Sequence, residues 1–443
     1  MTTSNGVKFI ADFHLHSKYS RATSPQMDLE NLDKWARIKG IKVLGTGDFT
    51  HPDWFKNLKE KLEPAEPGLF KLAPYRTESS GAGLRNSDSQ TRFILTSEIS
   101  CIYSKKNRVR KIHILIFAPS LEIVEKINTH LGWLGNLKSD GRPILGLDAK
   151  ELAKIVLNIS ENCLIVPAHL MTPWFSLFGS KSGFDSIEEC FEDYSRYIFA
   201  GETGLSANPL MLWRIPDGRR ITLISNSDAH SAPHIGREAN VFEGDEINYN
   251  NIINAIKQGS KSNIQYPKSN IKLTYTVEFY PQEGKYHYDG HRLCGISCSP
   301  AESKKYNNIC PNCGRPLTIG VLNRVEQLAD RPEGFKPENA IPFKSLIPLA
   351  EIISDALGQG VGTIGVNKEY ENLIEKFGDE FSVLIDVPRQ ELEAVTLTEI
   401  AEGIVRVREG KVFIEPGYDG VYGKIRIFSR GEQKTVSRQK TLF

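Results

Sequence analysis

Val7-Lys-Phe-Ile-Ala-Asp-Phe-His14-Leu-His16 is a short run of strand-forming residues that ends in two histidines one residue apart. On a strand, residues i and i+2 point to the same side. His14 and His16 are therefore expected to face one point in space where the strand runs out, as a metal at the mouth of a sheet or barrel requires. A surface strand that happens to carry two histidines would read the same, so the weight rests on whether the pattern repeats.

It repeats along the first 260 residues. Short apolar runs at Val7–Phe13, Ile41–Thr46, Arg92–Thr96, Lys111–Ala118, Cys163–Ala168, Tyr197–Gly201 and Ile221–Ser225 alternate with amphipathic segments such as Asp28–Lys39, Leu121–His130, Asp148–Asn158 and Asn208–Arg214. Alternation of this kind predicts an α/β fold with a parallel arrangement of strands. Polar residues sit at or near the end of nearly every run, which favours a barrel over an open sheet. The series is His14 and His16, then Gly47-Asp48-Phe-Thr-His51, Glu98, His113, His169, Glu202, and finally Asp228-Ala-His230, a second pair at i and i+2. Any one of these reads as a hydrogen-bonded loop residue, and His130 and His234 are left as such. Seven segments that all supply His, Asp or Glu read as a metal centre. Imidazole with carboxylate suits zinc, manganese or iron. The candidate ligands His14, His16, Asp48, His51, Glu98, His113, His169, Asp228 and His230 exceed the roughly four to six that one ion takes. Two or three ions with bridging carboxylates fit better, and Glu98 and Asp228 are the bridging candidates. Such ions lower the pKa of a shared water to make hydroxide.

These motifs (His-x-His, Gly-x-x-Asp-like, isolated Glu, His in an apolar strand, Pro-Ala-His, Ser-Asp-Ala-His) resemble those of the polymerase and histidinol phosphatase (PHP) superfamily. The resemblance covers roughly residues 7–260. It implies a distorted seven-stranded β/α (TIM-like) barrel, a trinuclear metal site and phosphoester hydrolysis. By the resemblance, His14, His16, Glu98 and Asp228 hold one ion, Glu98, His113 and His169 a second, and His51 and His230 a third. The family's second motif usually reads Thr-Asp-His, whereas this chain has Asp48-Phe49, with His51 as the candidate replacement.

Composition sets bounds around this core. With 443 residues, several domains are expected. Lys plus Arg (55) nearly balance Asp plus Glu (54), so nucleic-acid contacts must come from local patches. No apolar run reaches the length of a membrane span, and no secretion signal is legible, so a cytoplasmic, nucleoid-associated protein without a membrane partner is expected. Of 7 cysteines, Cys294, Cys298, Cys310 and Cys313 are close together and read as a structural four-Cys zinc knuckle rather than a disulfide framework. His287 and His291 lie just upstream and are set aside because four thiolates suffice. The expected domains are a catalytic barrel over 1–265, a zinc-binding domain over 266–320, a small α+β C-terminal domain over 321–430 and a tail over 431–443.

Several surfaces look sized for DNA. Pro52–Gln90 is long for a connecting loop. Trp174, Phe175 and Phe178 follow His169 and are candidates for stacking on bases, or else a hydrophobic plug. Lys105, Lys106, Arg108 and Arg110 form a basic run leading to His113, a candidate backbone contact or simply a solvated turn. The glycine-rich Gly358–Gly365 segment lacks a P-loop ending and reads as a loop. The terminal Gln439-Lys-Thr-Leu442-Phe443 resembles the peptide that sliding clamps accept. The whole set of features resembles the endonuclease Q family within the PHP superfamily. That resemblance implies a DNA repair nuclease acting on double-stranded DNA, 5′ to deaminated bases (hypoxanthine, uracil, xanthine) and abasic sites, and leaving a 3′-hydroxyl and a 5′-phosphate. It implies zinc, with magnesium or manganese as further candidates for catalysis. A small-molecule phosphatase of the same superfamily and a non-catalytic helicase-associated DNA-binding module are the alternatives.

Overall fold

The computed structural model describes residues 6–74, 91–261 and 266–429. The chain divides into two compact units. The first contains the stretch up to Arg37, Ile41–Thr276 and Arg324–Pro342. The second contains Ile38–Gly40, Val277–Asn323 and the stretch from Phe343 onward. The cysteine-rich segment and the C-terminal helices thus belong to one unit instead of two. Arg324 belongs to the first unit, where its guanidinium donates to the Phe178 and Phe184 carbonyls.

The opening strand, Lys8–Asp12, lies inside the main sheet of the first unit. It pairs antiparallel with Ala239–Gly244 on one side and parallel with Ile41–Gly45 on the other. Ile41–Gly45 pairs in parallel with Arg92–Lys105, which forms a long antiparallel hairpin with Arg108–Ala118. The second arm of the hairpin pairs antiparallel with Leu164–Pro167. Ala200–Glu202 and Thr222–Ile224 pair in parallel as a separate ribbon. A strand therefore forms at each expected place, but the arrangement is a mixed α/β fold and not the all-parallel one expected. For the hairpin the cause is local: Lys106 and Asn107 both adopt left-handed backbone, with φ of 51° and 58°. This pair builds a two-residue turn whose twist matches an antiparallel hairpin. Glu98 and His113 consequently sit within the hairpin arms, with Glu98 opposite Leu115 and His113 opposite Ser100.

Phe9, Ala11 and Phe13 alternate into one apolar core with Val43, Ile94, Leu115, Phe117, Leu164, Val166 and Phe242. Phe9 stacks on Phe242 at 5.3 Å, and Phe13 meets Phe117 edge-on at 5.3 Å. Each such side chain stabilises the fold by roughly 1.5–3 kcal/mol. A one-residue slip of the strand would turn all three side chains out of the core, so its register is fixed. That register is what delivers His14 and His16. The helices packed around the sheet begin with conventional caps: Ser120 accepts from Ile123 N, Asp148 from Lys150 N and Asn248 from Asn251 N.

In the second unit, Asp289–His291 pairs antiparallel with Ile296–Cys298. The C-terminal part is mainly helical, with Leu349–Leu357, Ile364–Phe377, Arg389–Val395 and Thr398–Arg408, followed by the small pair Phe413–Glu415 and Lys424–Arg426. Gly358 closes the first of these helices in a left-handed conformation, φ 61°, which explains one glycine of the rich segment as a helix stop. The clamp-like residues Gln439, Leu442 and Phe443 lie outside the described residues, as does the second half of Pro52–Gln90.

Candidate metal centre

Two chain segments far apart in sequence meet at the centre. Leu15 forms a parallel bridge with Ala229, and His16 N donates to Ala229 O at 2.9 Å. Leu15 and Ala229 turn into the core, at 1% and 0% exposure. Their flanking residues, His14 and His16 from one segment and Asp228 from the other, turn together towards Glu98. The four present one ligand atom each within 4.8 Å of one another, and Glu98, His113 and His169 form a second such group.

Glu98 joins the two groups through different oxygens. Its Oε2 lies 3.5 Å from His14 Nε2 and 3.3 Å from His16 Nε2. Its Oε1 lies 2.7 Å from His113 Nδ1 and 3.0 Å from His169 Nε2. Asp228 Oδ1 completes the first group, 3.1 Å from His16 Nε2 and 3.6 Å from His14 Nε2. The donors fit metal ions. His14 Nε2, His16 Nε2 and Asp228 Oδ1 are buried and have no hydrogen-bond partner. Three orphaned polar atoms around one point would be costly unless a cation satisfied them.

The other ends of the imidazoles are tied down. His14 Nδ1 lies 3.0 Å from both oxygens of Glu202, and His16 Nδ1 lies 3.0 Å from Asp48 Oδ1. Each carboxylate holds a proton on Nδ1 and leaves Nε2 free for a metal. Burial pushes both imidazoles down, but the carboxylates outweigh it, Glu202 first for His14 and Asp48 first for His16, and hold both pKa values well above the usual range. Burial likewise opposes ionisation of Glu98 and Asp228, yet the surrounding cationic side chains keep both well below the usual carboxylate range. Asp48, His169 and Asp228 all have positive φ, at 46°, 31° and 46°. Backbone strain of this kind, on the order of 1–3 kcal/mol each, gathers where geometry is dictated by a site.

Several expected ligands fall elsewhere. Asp48 is an orienting residue and not a member of either group: its Oδ2 accepts from Ser17 N, Ser17 Oγ and Ser20 Oγ. His51 turns away, with Nε2 3.2 Å from Lys138 O and its ring stacked on Tyr19. It stands at the N-cap position of the helix Pro52–Lys61 with no capping hydrogen bond from its side chain, and these contacts with Lys138 and Tyr19 leave it outside both groups, so it does not replace the residue at Phe49, itself fully buried. His230 stands beside the centre with its ring 4.6 Å from His16, but its Nδ1 is 2.9 Å from Asp228 O. Among the described residues the first unit gathers two groups, and the expected third shell of His51 and His230 does not assemble.

Two residues were missed as parts of the site. Glu202 was legible only as a strand end. Besides His14, it accepts from His169 N at 2.8 Å and Asn226 Nδ2 at 2.9 Å, which makes it the hub behind the centre. Arg142 gave no sequence signal at all, because it lies in a loop outside every motif. Its NH1 reaches Glu98 Oε2 at 3.0 Å.

In the second unit the gathered ligands are His291, Cys294, Cys310 and Cys313. This corrects the expected four-cysteine set. Cys298 lies on the strand paired to Asp289 and packs with Leu317, at 4% exposure, whereas Cys294 sits in the turn before it. Both Cys294-x-x-x-Cys298 and Cys310-x-x-Cys313 are spacings a zinc site accepts, so it is the placement of the side chains that brings in His291 and leaves Cys298 out. His291 Nδ1 lies 3.4 Å from Cys313 Sγ.

The candidate DNA contacts separate too. Phe178 is fully buried and cannot meet a base, while Trp174 is 40% exposed. Phe175 packs its ring 4.8 Å from His113. Lys105 is held by Asp148 at 3.2 Å and Glu192 at 2.8 Å, and Arg110 lies over the Phe184 ring at 4.0 Å. Both therefore serve the fold. Lys106 is 64% exposed, with Glu189 at 3.7 Å. Arg108 lines a cavity of about 500 Å³ with Lys181 and Arg324. The loop that carries Trp174 runs beside the second hairpin arm: His113 N donates to Phe175 O and Lys111 N to Ser182 O. Trp174 thus directly precedes the residue that packs on His113, and the basic cavity is lined by the outer end of the same arm and the same loop.

Fold and site together define a metal-dependent phosphoester-cleaving enzyme of the PHP type. A family model described as PHP-associated matches residues 214–260, and one for the MJ0043 C-terminal domain matches 348–411. The chain is 40% identical over 263 residues to the uncharacterized protein MJ0043 of Methanocaldococcus jannaschii, covering 57% of this chain and 31% of that protein's length. Its structure matches the lesion-specific endonuclease PfuEndoQ from Pyrococcus furiosus with a TM-score of 0.81 and 31% identity, over 97% of this chain and 99% of that one. It matches an endonuclease Q complex with a 27-mer duplex bearing an abasic lesion at the active site with a TM-score of 0.79 and 32% identity, over 96% and 97% of the two chains. The chain belongs to the endonuclease Q family, and it is a metal-dependent DNA endonuclease acting in repair.

Proposed function

We propose that the protein nicks duplex DNA on the 5′ side of deaminated bases (hypoxanthine, uracil and xanthine) and of abasic sites, leaving a 3′-hydroxyl and a 5′-phosphate. The observation that carries this reading is the paired ligand groups sharing Glu98, in a chain that matches a lesion-bound relative almost end to end. Zinc suits the His291–Cys313 cluster as a structural ion, and zinc, manganese or magnesium the centre around Glu98. Ions held there by His14, His16, Glu98, Asp228, His113 and His169 would supply an activated water and neutralise charge on the scissile phosphate.

This chain's own residues set the geometry. Glu98 fixes the spacing of the two groups by offering one oxygen to each. Glu202 and Asp48 lock the imidazole tautomers, so that His14 and His16 present Nε2 inward. The exposed Trp174 is the residue proposed to stack on a displaced base, and selectivity would follow from the lower cost of extruding a mispaired or missing base. Lys106, Arg108 and Lys181 are proposed as cations for the DNA backbone. The Gln439–Phe443 segment is proposed to tether the enzyme to a sliding clamp, a role that deletion and a clamp pull-down would check. The setting of this work is the cytoplasmic nucleoid.

The decisive experiment is a nicking assay on matched duplexes carrying uracil, hypoxanthine, xanthine, an abasic site or no lesion, with the full chain and with Asp228→Ala. The expected result is a nick 5′ to the lesion by the parent and none by Asp228→Ala, with DNA binding largely retained. No lesion-dependent nick with any divalent ion would end the repair reading. Turnover of a phosphomonoester alone would favour a small-molecule phosphatase.

A further inference from the structure

Arg142 is the one guanidinium with a hydrogen bond to a ligand-group carboxylate among the described residues. Its position is built by the fold. Gly141 sits so tightly against the site that a Cβ there would fall 2.2 Å from Asp48 Oδ2 and 2.3 Å from Ser20 Oγ. Gly141 N donates to Tyr19 O at 3.0 Å, and Thr50 Oγ1 to Gly141 O at 3.4 Å. Asp140 accepts from Arg142 N at 3.1 Å and Arg21 N at 3.3 Å. On the other side, Ser100 N donates to Pro143 O at 3.0 Å, and Ile144–Leu145 pairs with Ser100–Cys101. The backbone on both sides of Arg142 is therefore bound to the segments that carry His16, Asp48 and Glu98.

The guanidinium itself is far from saturated. Among the described residues it makes one hydrogen bond, NH1 to Glu98 Oε2, out of five N–H donors, and the side chain is 26% exposed. A counter-ion for Glu98 would be the simple explanation. It is insufficient, because Glu98 already faces four imidazoles and two sets of ligands arranged for cations. Planar donors left open beside a phosphate-cleaving centre match the geometry of a phosphate oxygen pair.

We infer that Arg142 is a catalytic residue of this enzyme, anchored by one N–H on Glu98 and donating its remaining N–H groups to a non-bridging oxygen of the scissile phosphate. The inference rests on the phosphodiesterase reading above. In the step it serves, a water oxygen forms a bond to phosphorus and the bond from phosphorus to the upstream 3′-oxygen breaks. One water proton leaves to solvent, and the departing 3′-oxygen takes up another. Negative charge gathers on the non-bridging oxygens, and a preplaced donor there lowers the barrier most.

The test uses the full chain loaded with zinc or manganese, as Arg142→Ala, Arg142→Gln and Arg142→Lys. Metal content should match the parent in all three. Single-turnover nicking by Arg142→Ala should fall about 10²–10³-fold, the scale for removing one such donor, with DNA affinity changed only a few-fold and Arg142→Lys recovering part of the rate. Substrates with a single Rp or Sp phosphorothioate at the scissile position should be discriminated by the parent and much less so by Arg142→Ala. Inorganic phosphate should bind the metal-loaded parent and bind Arg142→Ala about tenfold more weakly. Loss of metal from the Ala and Gln variants, or unchanged phosphorothioate selectivity, would overturn the inference and make Arg142 a structural counter-ion. If the parent makes no nick, the functional reading fails, and the phosphate titration still decides the inference: equal affinity in parent and variant refutes it.

Discussion

Replacing Asp48 by Asn changes one atom and separates an orienting residue from a ligand. Asp48 Oδ1 faces His16 Nδ1, while Oδ2 accepts three donors: Ser17 N at 2.6 Å, Ser17 Oγ at 2.7 Å and Ser20 Oγ at 2.9 Å. Asn has two ways to sit there, and both are poor. With its NH₂ in place of Oδ2, the hydroxyls can rotate to accept, but Ser17 N–H meets another donor and goes unpaired, at a cost of about 1–3 kcal/mol. With its NH₂ towards His16, the imidazole must accept at Nδ1, and its proton moves to Nε2, the atom aimed at Asp228 and Glu98. Losing a carboxylate behind a ligating histidine typically costs 10–100-fold in metal affinity, which is about 1.4–2.8 kcal/mol. Chelator competition with metal quantification, beside a thermal melt, measures both effects. Asp48→Asn should retain the centre at excess metal and lose it at tenfold or more lower chelator concentration than the parent. Unchanged affinity would refute the orienting role. Complete loss matching that of Asp228→Ala would make Asp48 a ligand.

In the second unit, His291→Ala should release its zinc on a colorimetric chelator assay while Cys298→Ala keeps it, and the reverse result would restore the four-thiolate set. Phe178→Ala should lower stability by about 3–5 kcal/mol in denaturant titration, whereas Trp174→Ala should leave stability nearly unchanged and weaken lesion-duplex binding by about 1–3 kcal/mol; equal behaviour would refute the division of the aromatics. Burial pushes the His287 imidazole from 6.5 down to about 4. The folded state therefore binds fewer protons than the unfolded one between those values. Its contribution is present above about pH 6.5 and is lost as pH falls towards 4, by about 3 kcal/mol at most. His287→Gln should lose less stability than the parent over that window, and parallel curves would refute the assignment.

His14 and His16 were legible in the sequence because ligation at i and i+2 leaves a mark one strand long, and Asp228 was legible beside His230, although only the aspartate joins a ligand group. Their partnership through Leu15 and Ala229 needed only the assumption that both face one point. Glu98 was legible as an acidic residue in an apolar run. The hairpin was not, because its decisive turn is Lys106-Asn107 and not the Asn-Gly or Asp-Gly that signals left-handed pairs, and its arms are buried on both faces and show no alternation. Asp48 and His51 were misplaced for a common reason. Spacing shows that a residue is near the centre, but not whether its side chain points at the ligand groups or at a neighbour, His16 for Asp48 and Lys138 O for His51. Cys298 misled because its spacing suits a zinc ligand, and only the fold shows it packed with Leu317. Arg142 left no trace, since its role depends on Gly141 coming close to Asp48 from a segment more than ninety residues later.

The bridge between Leu15 and Ala229 also governs when the centre comes into being. It is reinforced by Phe13 N to Asn226 Oδ1 at 2.9 Å and Ser227 N to Asp12 Oδ1 at 3.1 Å, contacts separated by 213 and 215 positions. Closing a loop of that span has a large entropic cost before any contact repays it, so such pairings form late in folding. During synthesis the opening histidines therefore emerge without Asp228, and a nascent chain shorter than about 230 residues holds an incomplete first group. A nuclease centre that assembles only when its last segment arrives stays inert in truncated chains, and ions binding the closed form act as a clasp on the finished unit.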